Sequence, residues 1–208
     1  MRKDTSTLKE QIFQELHRQI ILGDLTADQL ITEKGLMEQF QASRAPVREA
    51  LVELCNENIL HSIPCYGYKI VPLTAEDIRQ IQDYRVILEC GFLSRNWNLI
   101  SPEHIRSLQE IVERGNSAGR AQDAYSHWST NMEFHTSLFS IYHNKTAQNS
   151  LQHVLNIQAR AYAQITWQRF QMPRFIDGDK THMELITAMA DGHWNDAVEL
   201  LEKDIRSI

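Results

Sequence analysis

The sequence has few cysteines, and their arrangement excludes the sites that cysteines usually build. The three are Cys55, Cys65 and Cys90, an odd number without a CxxC pair. Neither a disulfide framework nor a cysteine-based zinc site is therefore expected, and reduced thiols fit best. No apolar run follows the basic residues at the start of the sequence, and no stretch is long enough to span a bilayer. We expect a cytoplasmic protein that does not enter a membrane.

Positive charge is also scarce. The chain has 21 Lys and Arg against 27 Asp and Glu, a formal net charge of −6. Any contact with nucleic acid must therefore come from a local basic patch, because the overall field is repulsive. With 208 residues, 42% of them hydrophobic, the chain can bury a sizeable core, and we favour two small domains.

The stretch Glu33–Leu54 predicts two short helices around a tight turn. Ser43 stands at an N-cap position, where its hydroxyl is expected to accept an N–H of the first turn, and Pro46 falls within that turn. Two helices of this length and spacing are what a helix-turn-helix needs to place a recognition helix in the DNA major groove. The buried face is predicted to consist of Val47, Ala50, Leu51, Leu54 and Cys55, packed against Leu36, Met37 and Phe40.

The run Ser43-Arg44-Ala45-Pro46-Val47-Arg48-Glu49-Ala50-Leu51 resembles the S-R-x-P-V-R-E-A-L recognition helix of GntR-family transcriptional regulators. The resemblance implies that Arg44 and Arg48, one turn apart, contact DNA, where an arginine can bind guanine O6 and N7 together. The alternative is that Arg48 pairs with a surface acid such as Glu49 or Glu53. The implied DNA-binding residues are Lys34, Ser43, Arg44, Ala45, Arg48, Tyr66 and Gly67.

The remainder of the N-terminal part predicts a helix over residues 5–22, a short strand at Ile31 and a hairpin. The hairpin strands are residues 59–63 and 68–71, separated by Pro64–Gly67, and they would form the wing. Four positions depart from the family pattern. Ala27-Asp28 replaces Pro-Gly, Gln41 and Asn58 stand where glycine is usual, and Cys65-Tyr66 replaces a wing-tip arginine. A positive φ at Gln41 would cost of order 1 kcal/mol.

Everything after Pro72 is helix-patterned. Six helices are predicted, at about residues 75–98, 102–115, 119–142, 145–170, 175–191 and 194–207. This half resembles the FCD domain of the FadR-type branch of the GntR family, and six helices place it near the VanR-like group. The predicted fold is mainly α: an N-terminal winged helix-turn-helix domain at residues 1–72 and a C-terminal all-α helical bundle, for ligand sensing and dimerisation, at residues 73–208.

Polar residues lie on apolar faces of three helices in this half. Asn131 and His135 share a face, His182 lies on a second helix and Asp204 on a third. A carboxylate on a core face is costly unless it is paired or bound to a metal. The resemblance implies a divalent-cation site formed by Asn131, His135, His182 and Asp204, for Zn²⁺ or a similar ion, although the family has Asp at the first position and His at the last. The alternative is a polar core in which Asp204 only hydrogen-bonds His182.

Arginines of the helical half suit a carboxylate effector, because the planar guanidinium binds planar anions. Arg85 is equally suited to pair with Glu89 one turn on. The predicted effector-binding residues are Arg85, Trp128, Asn131 and Arg160.

The implied function is a repressor. It would bind a palindromic DNA operator as a homodimer and release it when a small carboxylate or sugar acid occupies the helical domain. One competing interpretation is a metal-dependent hydrolytic enzyme that carries a helix-turn-helix, with His135, His182 and Asp204 as ligands. Another is a regulator that has lost its effector and responds to a protein partner.

Overall fold

The computed structural model of the chain describes residues 6–117, 124–167 and 178–207. Its N-terminal half contains three helices and a two-stranded hairpin. These elements are α1 (Leu8–Leu22), α2 (Glu33–Phe40), α3 (Arg44–Asn56), β1 (Leu60–Ile63) and β2 (Gly67–Ile70).

Helix α1 has defined ends. The Thr7 hydroxyl accepts the amide N–H of Glu10 at 3.2 Å, and the Glu10 carboxylate accepts the amide N–H of Thr7 at 2.8 Å. This reciprocal pair is a capping box, so the helix begins at Leu8, three residues later than the predicted start. Its last residue is Leu22, as predicted, and Gly23 follows with a φ of 80°.

The N-terminal core forms where the apolar spacing predicted it. Val47, Ala50, Leu51 and Leu54 of α3 are fully buried, and Leu36 of α2 is 5% exposed. Met37, Phe40 and Cys55 are partly buried against this core. The remaining buried side chains come from α1, Ile31 and the hairpin: Ile12, Leu16, Ile20, Ile31, Ile59, Leu60 and Ile70.

Three of the departures from the family pattern fall on left-handed backbone, at Gln41, at Asn58 and at Cys65 in the wing. Gln41 has a φ of 48° and Asn58 a φ of 54°. Asn tolerates this conformation better than most residues, but glutamine carries the full steric cost. Ala27 and Asp28 are not among the residues with positive φ, so their replacement of Pro-Gly brings no strain of this kind.

Replacing Gln41 with glycine is expected to raise the free energy of unfolding by about 0.5–1 kcal/mol, because the left-handed conformation costs glycine nothing. Urea unfolding of the full chain measures the change. A matched control is Gln14→Gly in the exposed middle of α1, which should lower stability by about 1 kcal/mol. Equal destabilisation by both variants would contradict the strain at Gln41.

The hairpin is the predicted wing. Its strands pair antiparallel from Leu60 with Ile70 to Ile63 with Gly67. The amide N–H of Tyr66 donates to the carbonyl of Ile63 at 3.0 Å, and Cys65 has a φ of 67°. Pro64 in the second position and a positive φ in the third are the requirements of a type II turn.

At Ile31, where a short strand was expected, the structure has an isolated antiparallel β-bridge to Tyr68. Ile31 and Tyr68 exchange backbone N–H to carbonyl hydrogen bonds of 2.9 and 2.8 Å. Gly67, with a φ of 145°, lies so close to Ile31 that a Cβ atom would overlap the Ile31 carbonyl oxygen. The packing of the wing on Ile31 therefore requires glycine at position 67.

The C-terminal half is helical throughout the described residues. Its first predicted helix is interrupted by a π-helical turn, and a second π turn continues the fourth. The elements are α4 (Ala75–Arg85), a π turn (Val86–Cys90), α5 (Gly91–Arg95), a 3₁₀ turn (Trp97–Leu99), α6 (Pro102–Ser117), α7 (Ala124–Ser140), α8 (Lys145–Tyr162), a π turn (Ala163–Trp167), α9 (Gly178–Ala190) and α10 (Trp194–Ser207). The predicted helix ends at 119, 170 and 175 lie outside the described residues. None of the described helices combines the length and apolarity that crossing a bilayer requires.

The described side chains form two apolar cores. The second core is built from the helices of the C-terminal half, with Leu93, Val112, Phe134, Leu185 and Leu201 among its buried members. It also contains Ile21 of α1, which is 4% exposed. The end of α1 therefore packs against the helical half, and the boundary between residues 72 and 73 stays a prediction.

Candidate DNA-binding surface and buried polar cluster

The recognition helix α3 presents its two arginines to solvent. Arg48 is exposed, and it forms no ion pair within the part of the chain that the structure describes. The alternative partner Glu53 instead binds the Lys9 ammonium at 2.7 Å. These side chains line an open groove of about 820 Å³, together with others of α3: Arg44, Ala45, Glu49, Val52 and Asn56.

Arg44 is held in place by a residue of α2. Its Nε donates to the Glu33 carboxylate at 2.7 Å, while 73% of the arginine side chain stays exposed. Because the contact uses Nε, it leaves the two terminal nitrogens of the guanidinium available for another partner. Glu33 was not identified from the sequence; its position at the start of α2 gives no local signal of a contact eleven residues away.

Replacing Glu33 with glutamine is expected to lower the affinity for a specific DNA duplex about 3- to 10-fold, because Arg44 loses the charged group that orients it. Fluorescence anisotropy against a duplex selected from a random-sequence pool measures the affinity. The control is Glu103→Gln on α6, an exposed carboxylate paired with Arg106 at 2.9 Å in the helical half, which should leave the affinity unchanged. A higher affinity of Glu33→Gln would show that Glu33 competes with DNA for Arg44.

The other predicted DNA-binding residues lie around this helix pair. Ser43 is the N-cap residue of α3, but its hydroxyl makes no capping hydrogen bond, so the predicted capping by that hydroxyl is wrong, while its predicted contact with DNA stays a prediction. The side chain is exposed instead. Lys34 is 88% exposed on α2, and Tyr66 is 72% exposed at the tip of the wing. Gly67 has the structural role described above, against Ile31.

A cluster of three buried side chains brings together helices α7, α9 and α10. His135 Nε2 lies 3.0 Å from one carboxylate oxygen of Asp204, and His182 Nε2 lies 3.3 Å from the other. All three side chains are at most 2% exposed. Neither contact is aligned as a hydrogen bond, so His135 Nε2, both His182 nitrogens and both Asp204 oxygens lack a hydrogen-bond partner among the described residues.

The spacing of these atoms suits a divalent cation. One ligand atom from each residue can be chosen so that all three lie within 4.8 Å of one another. In a tetrahedral zinc site the ligand atoms are roughly 3.3 Å apart, given metal–ligand distances of about 2.0–2.1 Å. Asn131 is buried one turn before His135 on α7, and its side-chain nitrogen also has no hydrogen-bond partner within the described chain.

Glu89 supports this cluster and was missed as a site residue. One of its oxygens lies 2.7 Å from His135 Nδ1, and the other accepts Arg85 Nε at 2.7 Å. A hydrogen on Nδ1 that points to Glu89 leaves the Nε2 lone pair free for a metal ion. The sequence showed Glu89 only as the neighbour of Arg85; its contact with His135 spans 46 positions and has no local signature.

The charged groups of the cluster shift the pKa values of His135 and Asp204. Burial disfavours the imidazolium of His135, but the neighbouring Glu89 carboxylate, helped by Asp204, outweighs burial and raises the pKa of His135 above its ordinary value. Burial likewise opposes ionisation of Asp204, yet the two imidazoles hold its pKa well below the usual range. Both shifts arise because imidazoles and carboxylates lie close together in a buried cluster.

The predicted effector-binding residues fall into two groups. Arg85 is fully buried between Glu89 and Gln158, whose side-chain oxygen accepts Arg85 Nη1 at 2.9 Å, while Nη2 has no partner in the described chain. Trp128 Nε1 is similarly buried and unpaired there. Arg160 instead donates from Nη1 to the backbone carbonyl of Asn58 at 3.2 Å, so this side chain bonds to the N-terminal half.

A winged helix-turn-helix with an exposed recognition helix, followed by a helical half with a buried cluster of potential metal ligands, defines a DNA-binding regulator with a sensing domain. The chain belongs to the bacterial regulatory proteins of the gntR family that carry an FCD domain. The gntR match covers residues 8–70, and the FCD match covers residues 80–207. Because this is a family of transcriptional regulators, the competing interpretation as a hydrolytic enzyme is wrong.

Several proteins resemble the chain in sequence or in fold. It is 28% identical over 145 residues to the HTH-type transcriptional regulator YdhC of Bacillus subtilis, covering 69% of the chain and 65% of that protein. It is 28% identical over 124 residues to the gluconate operon transcriptional repressor of Bacillus licheniformis, covering 60% and 51%. The chain thus spans about half to two thirds of the length of these relatives. The fold matches E. coli McbR/YncC with a TM-score of 0.80 and 18% identity, over 98% of the chain and 95% of that structure.

Proposed function

We propose that the chain is a homodimeric transcriptional repressor that binds a palindromic DNA operator through Arg44 and Arg48. A small carboxylate or sugar acid, together with a divalent cation, would occupy the buried cluster and release the DNA. The DNA part of the proposal is supported by two solvent-facing guanidinium groups one turn apart on α3. Base-edge contacts in the major groove need this type of side chain in this position.

The observation that carries the effector part is the number of buried polar atoms without partners. In folded proteins such atoms are rare, and each one left unpaired costs about 1–3 kcal/mol. Here the donors Arg85 Nη2, Trp128 Nε1 and Asn131 Nδ2 accompany the three-residue cluster. A ligand rich in acceptor oxygens would satisfy them, whereas a protein partner at a distant surface would not.

The chemical class of the effector follows from these donors. A carboxylate matches the guanidinium, and hydroxyl groups match the indole and amide N–H donors. The name of the B. licheniformis relative refers to gluconate, which is a sugar acid of this class. We therefore favour polyhydroxy carboxylates over neutral sugars.

The metal part of the proposal assigns three ligands to the cation. His135 Nε2, one His182 nitrogen and an Asp204 oxygen would hold it, with Asn131 next to them on α7. The cation would supply positive charge to bind an effector carboxylate. Glu89 would fix the tautomer of His135, and Arg85 would balance the charge of Glu89.

Replacing His182 with alanine is expected to weaken Zn²⁺ binding at least about 10- to 100-fold, because one of three protein ligands is lost. Competition with a chromophoric chelator at fixed pH measures the affinity. The control is Asp196→Asn on α10, an exposed carboxylate near the exposed His193, which should leave the affinity unchanged. Equal loss in the two variants, or no zinc uptake by the unmodified chain, would contradict the assigned site.

The proposed function is tested with two linked selections. The protein first selects duplexes from a random-sequence pool, and the enriched sequences should contain two half-sites related by a twofold axis. Sugar acids and simple carboxylates, with and without Zn²⁺, are then screened for an increase in melting temperature and for release of the selected duplex. Absence of any enriched sequence would overturn the DNA assignment. Stabilisation by no carboxylate would overturn the effector assignment.

A further inference from the structure

Gln164 fastens the segment that connects the two halves of the chain. Its side-chain oxygen accepts the amide N–H of Leu73 at 2.9 Å, and its side-chain nitrogen donates to the carbonyl of Val71 at 3.2 Å. One amide group therefore binds the backbone on both sides of Pro72, which has no N–H of its own. Gln164 belongs to the π turn Ala163–Trp167, and such turns re-aim side chains at the end of a helix.

Arg160, one turn before Gln164, makes a second bond to the N-terminal half. Its Nη1 donates to the carbonyl of Asn58, the residue with left-handed backbone just before the wing. The side chain is 2% exposed. His17 of α1 lies partly buried in the same junction, where burial and the charge of Arg160 lower the pKa of His17 to about 4. At neutral pH the junction therefore contains Arg160 as a cation and His17 as a neutral ring.

The same helix also reaches the buried polar cluster. Gln158 is fully buried, and its side-chain oxygen accepts Arg85 Nη1 at 2.9 Å. Its side-chain nitrogen approaches the Tyr162 hydroxyl at 3.4 Å. Within seven positions, from 158 to 164, α8 and its π turn thus contact the guanidinium of Arg85, the residue before the wing and the connecting segment.

We infer that α8 transmits ligand binding at the buried cluster to the winged half. The hydrogen bonds of Gln164 to the connecting segment are the contacts that open or stay closed in response. The inference rests on the proposed function, because it names the route by which that cluster would control DNA binding. A carboxylate that binds both terminal nitrogens of Arg85, the unpaired Nη2 together with Nη1, displaces the Gln158 oxygen from Nη1 and so changes the position of α8. A hydrogen bond of 3.2 Å is lost once the heavy atoms separate beyond about 3.5 Å, so a displacement of a few tenths of an ångström at Gln164 is enough to free the segment.

The simpler role for Gln164 is to satisfy the part-buried backbone of the connecting segment without any link to the cluster. The two roles differ in one measurable respect. If Gln164 couples α8 to the connecting segment, then a change at Gln158 alters the amide exchange of that segment only while Gln164 is present. If Gln164 only makes local hydrogen bonds, then the substitutions at Gln158 and Gln164 have independent effects on that exchange.

A double-mutant cycle in the full chain, without DNA or effector, tests this. Hydrogen–deuterium exchange with fragmentation to residue resolution follows the Leu73 amide, which Gln164 protects. Gln164→Ala should speed its exchange about 3- to 10-fold, the range that one hydrogen bond supplies. Gln158→Leu should speed the same amide at least 2-fold in the unmodified background and not at all in the Gln164→Ala background.

A second variant at position 158 distinguishes coupling from partial unfolding of the Gln158→Leu chain. Gln158→Glu keeps the length and the acceptor oxygen and strengthens the bond to Arg85, so it should slow exchange of Leu73 where Gln158→Leu speeds it. The matched control is Gln152→Ala, on the exposed side of α8, where the side chain donates to the Asn156 side chain at 3.2 Å, one turn on. It should leave the exchange of Leu73 unchanged.

Several results would overturn the inference. These are no response of Leu73 to either Gln158 variant, the same response with and without Gln164, or a response to Gln152→Ala of equal size. The cycle uses neither DNA nor effector, so its failure is distinct from failure of the proposed function. If the chain selects an operator but shows no coupling, the proposed function stands and the role inferred for Gln164 is wrong.

Discussion

Replacing Arg48 with alanine is expected to lower the affinity for a selected operator duplex about 10- to 100-fold while the chain stays folded. The side chain is exposed on the recognition helix and has no ion-pair partner within the described residues. A bidentate contact between arginine and guanine is worth about 1–3 kcal/mol, which corresponds to this range of affinity. This range counts a single contact; each chain of a homodimer would contribute one Arg48, so loss of both contacts would multiply the two factors.

Anisotropy titrations at one fixed salt concentration measure this loss, since phosphate contacts depend strongly on salt. The control is Arg106→Ala on α6, an exposed arginine paired with Glu103 at 2.9 Å in the helical half. It removes the same charge far from α3 and should change the affinity less than 2-fold. If the two variants weaken binding equally, the loss reflects overall charge, and the direct contact assigned to Arg48 is wrong.

Replacing Glu89 with leucine is expected to lower the free energy of unfolding by about 3–5 kcal/mol, the cost of breaking a buried ion pair by removing one partner. Arg85 and His135 are both fully buried, and both bind the Glu89 carboxylate at 2.7 Å. Leucine would leave the guanidinium uncompensated inside the helical half. Glu89→Gln keeps one acceptor oxygen for Arg85 and turns an amide N–H toward Nδ1 of a neutral His135, which can accept it, so this variant should cost less.

Urea unfolding at several pH values separates the contribution of the Glu89 charge to stability from the contribution of its hydrogen bonds. Burial opposes its ionisation, but Arg85 and His135 lower its pKa below the ordinary value of 4.5. Its contribution to stability is therefore complete above pH 4.5 and is lost as the pH falls through the lowered pKa. In Glu89→Gln that part of the acid-dependent loss should be missing. A Glu89→Leu chain as stable as the unmodified chain would show that the buried network is not what holds these helices.

Local patterns in the sequence predicted the helices and the wing of the N-terminal half. The spacing of Val47, Ala50, Leu51 and Leu54 predicted the buried face of α3 because that face depends on helical periodicity alone. The convergence of His135, His182 and Asp204 was also foreseen, since each interrupts an apolar face and apolar faces meet in a core. The left-handed conformations at Gln41 and Asn58 followed from where glycine is usual in the family.

Contacts between distant segments were not accessible in this way. Whether Arg160 faces an effector or the carbonyl of Asn58 depends on how the two halves meet, which no local pattern records. The π turns at 86–90 and 163–167 change which side chains share a face, and their sequences have no distinguishing composition. Ser43 shows a further limit: a residue suited to capping stands at the cap position, yet its hydroxyl does not make the bond.

Ile21 has a practical consequence for dissecting the protein. It is part of the winged half by sequence, but its side chain is buried in the core of the helical half. A fragment that ends at residue 72 would expose this isoleucine to water and forfeit about 1.5–3 kcal/mol of burial. Such a fragment should be less soluble and melt at a lower temperature than the intact chain, and Ile21→Ser should restore its solubility.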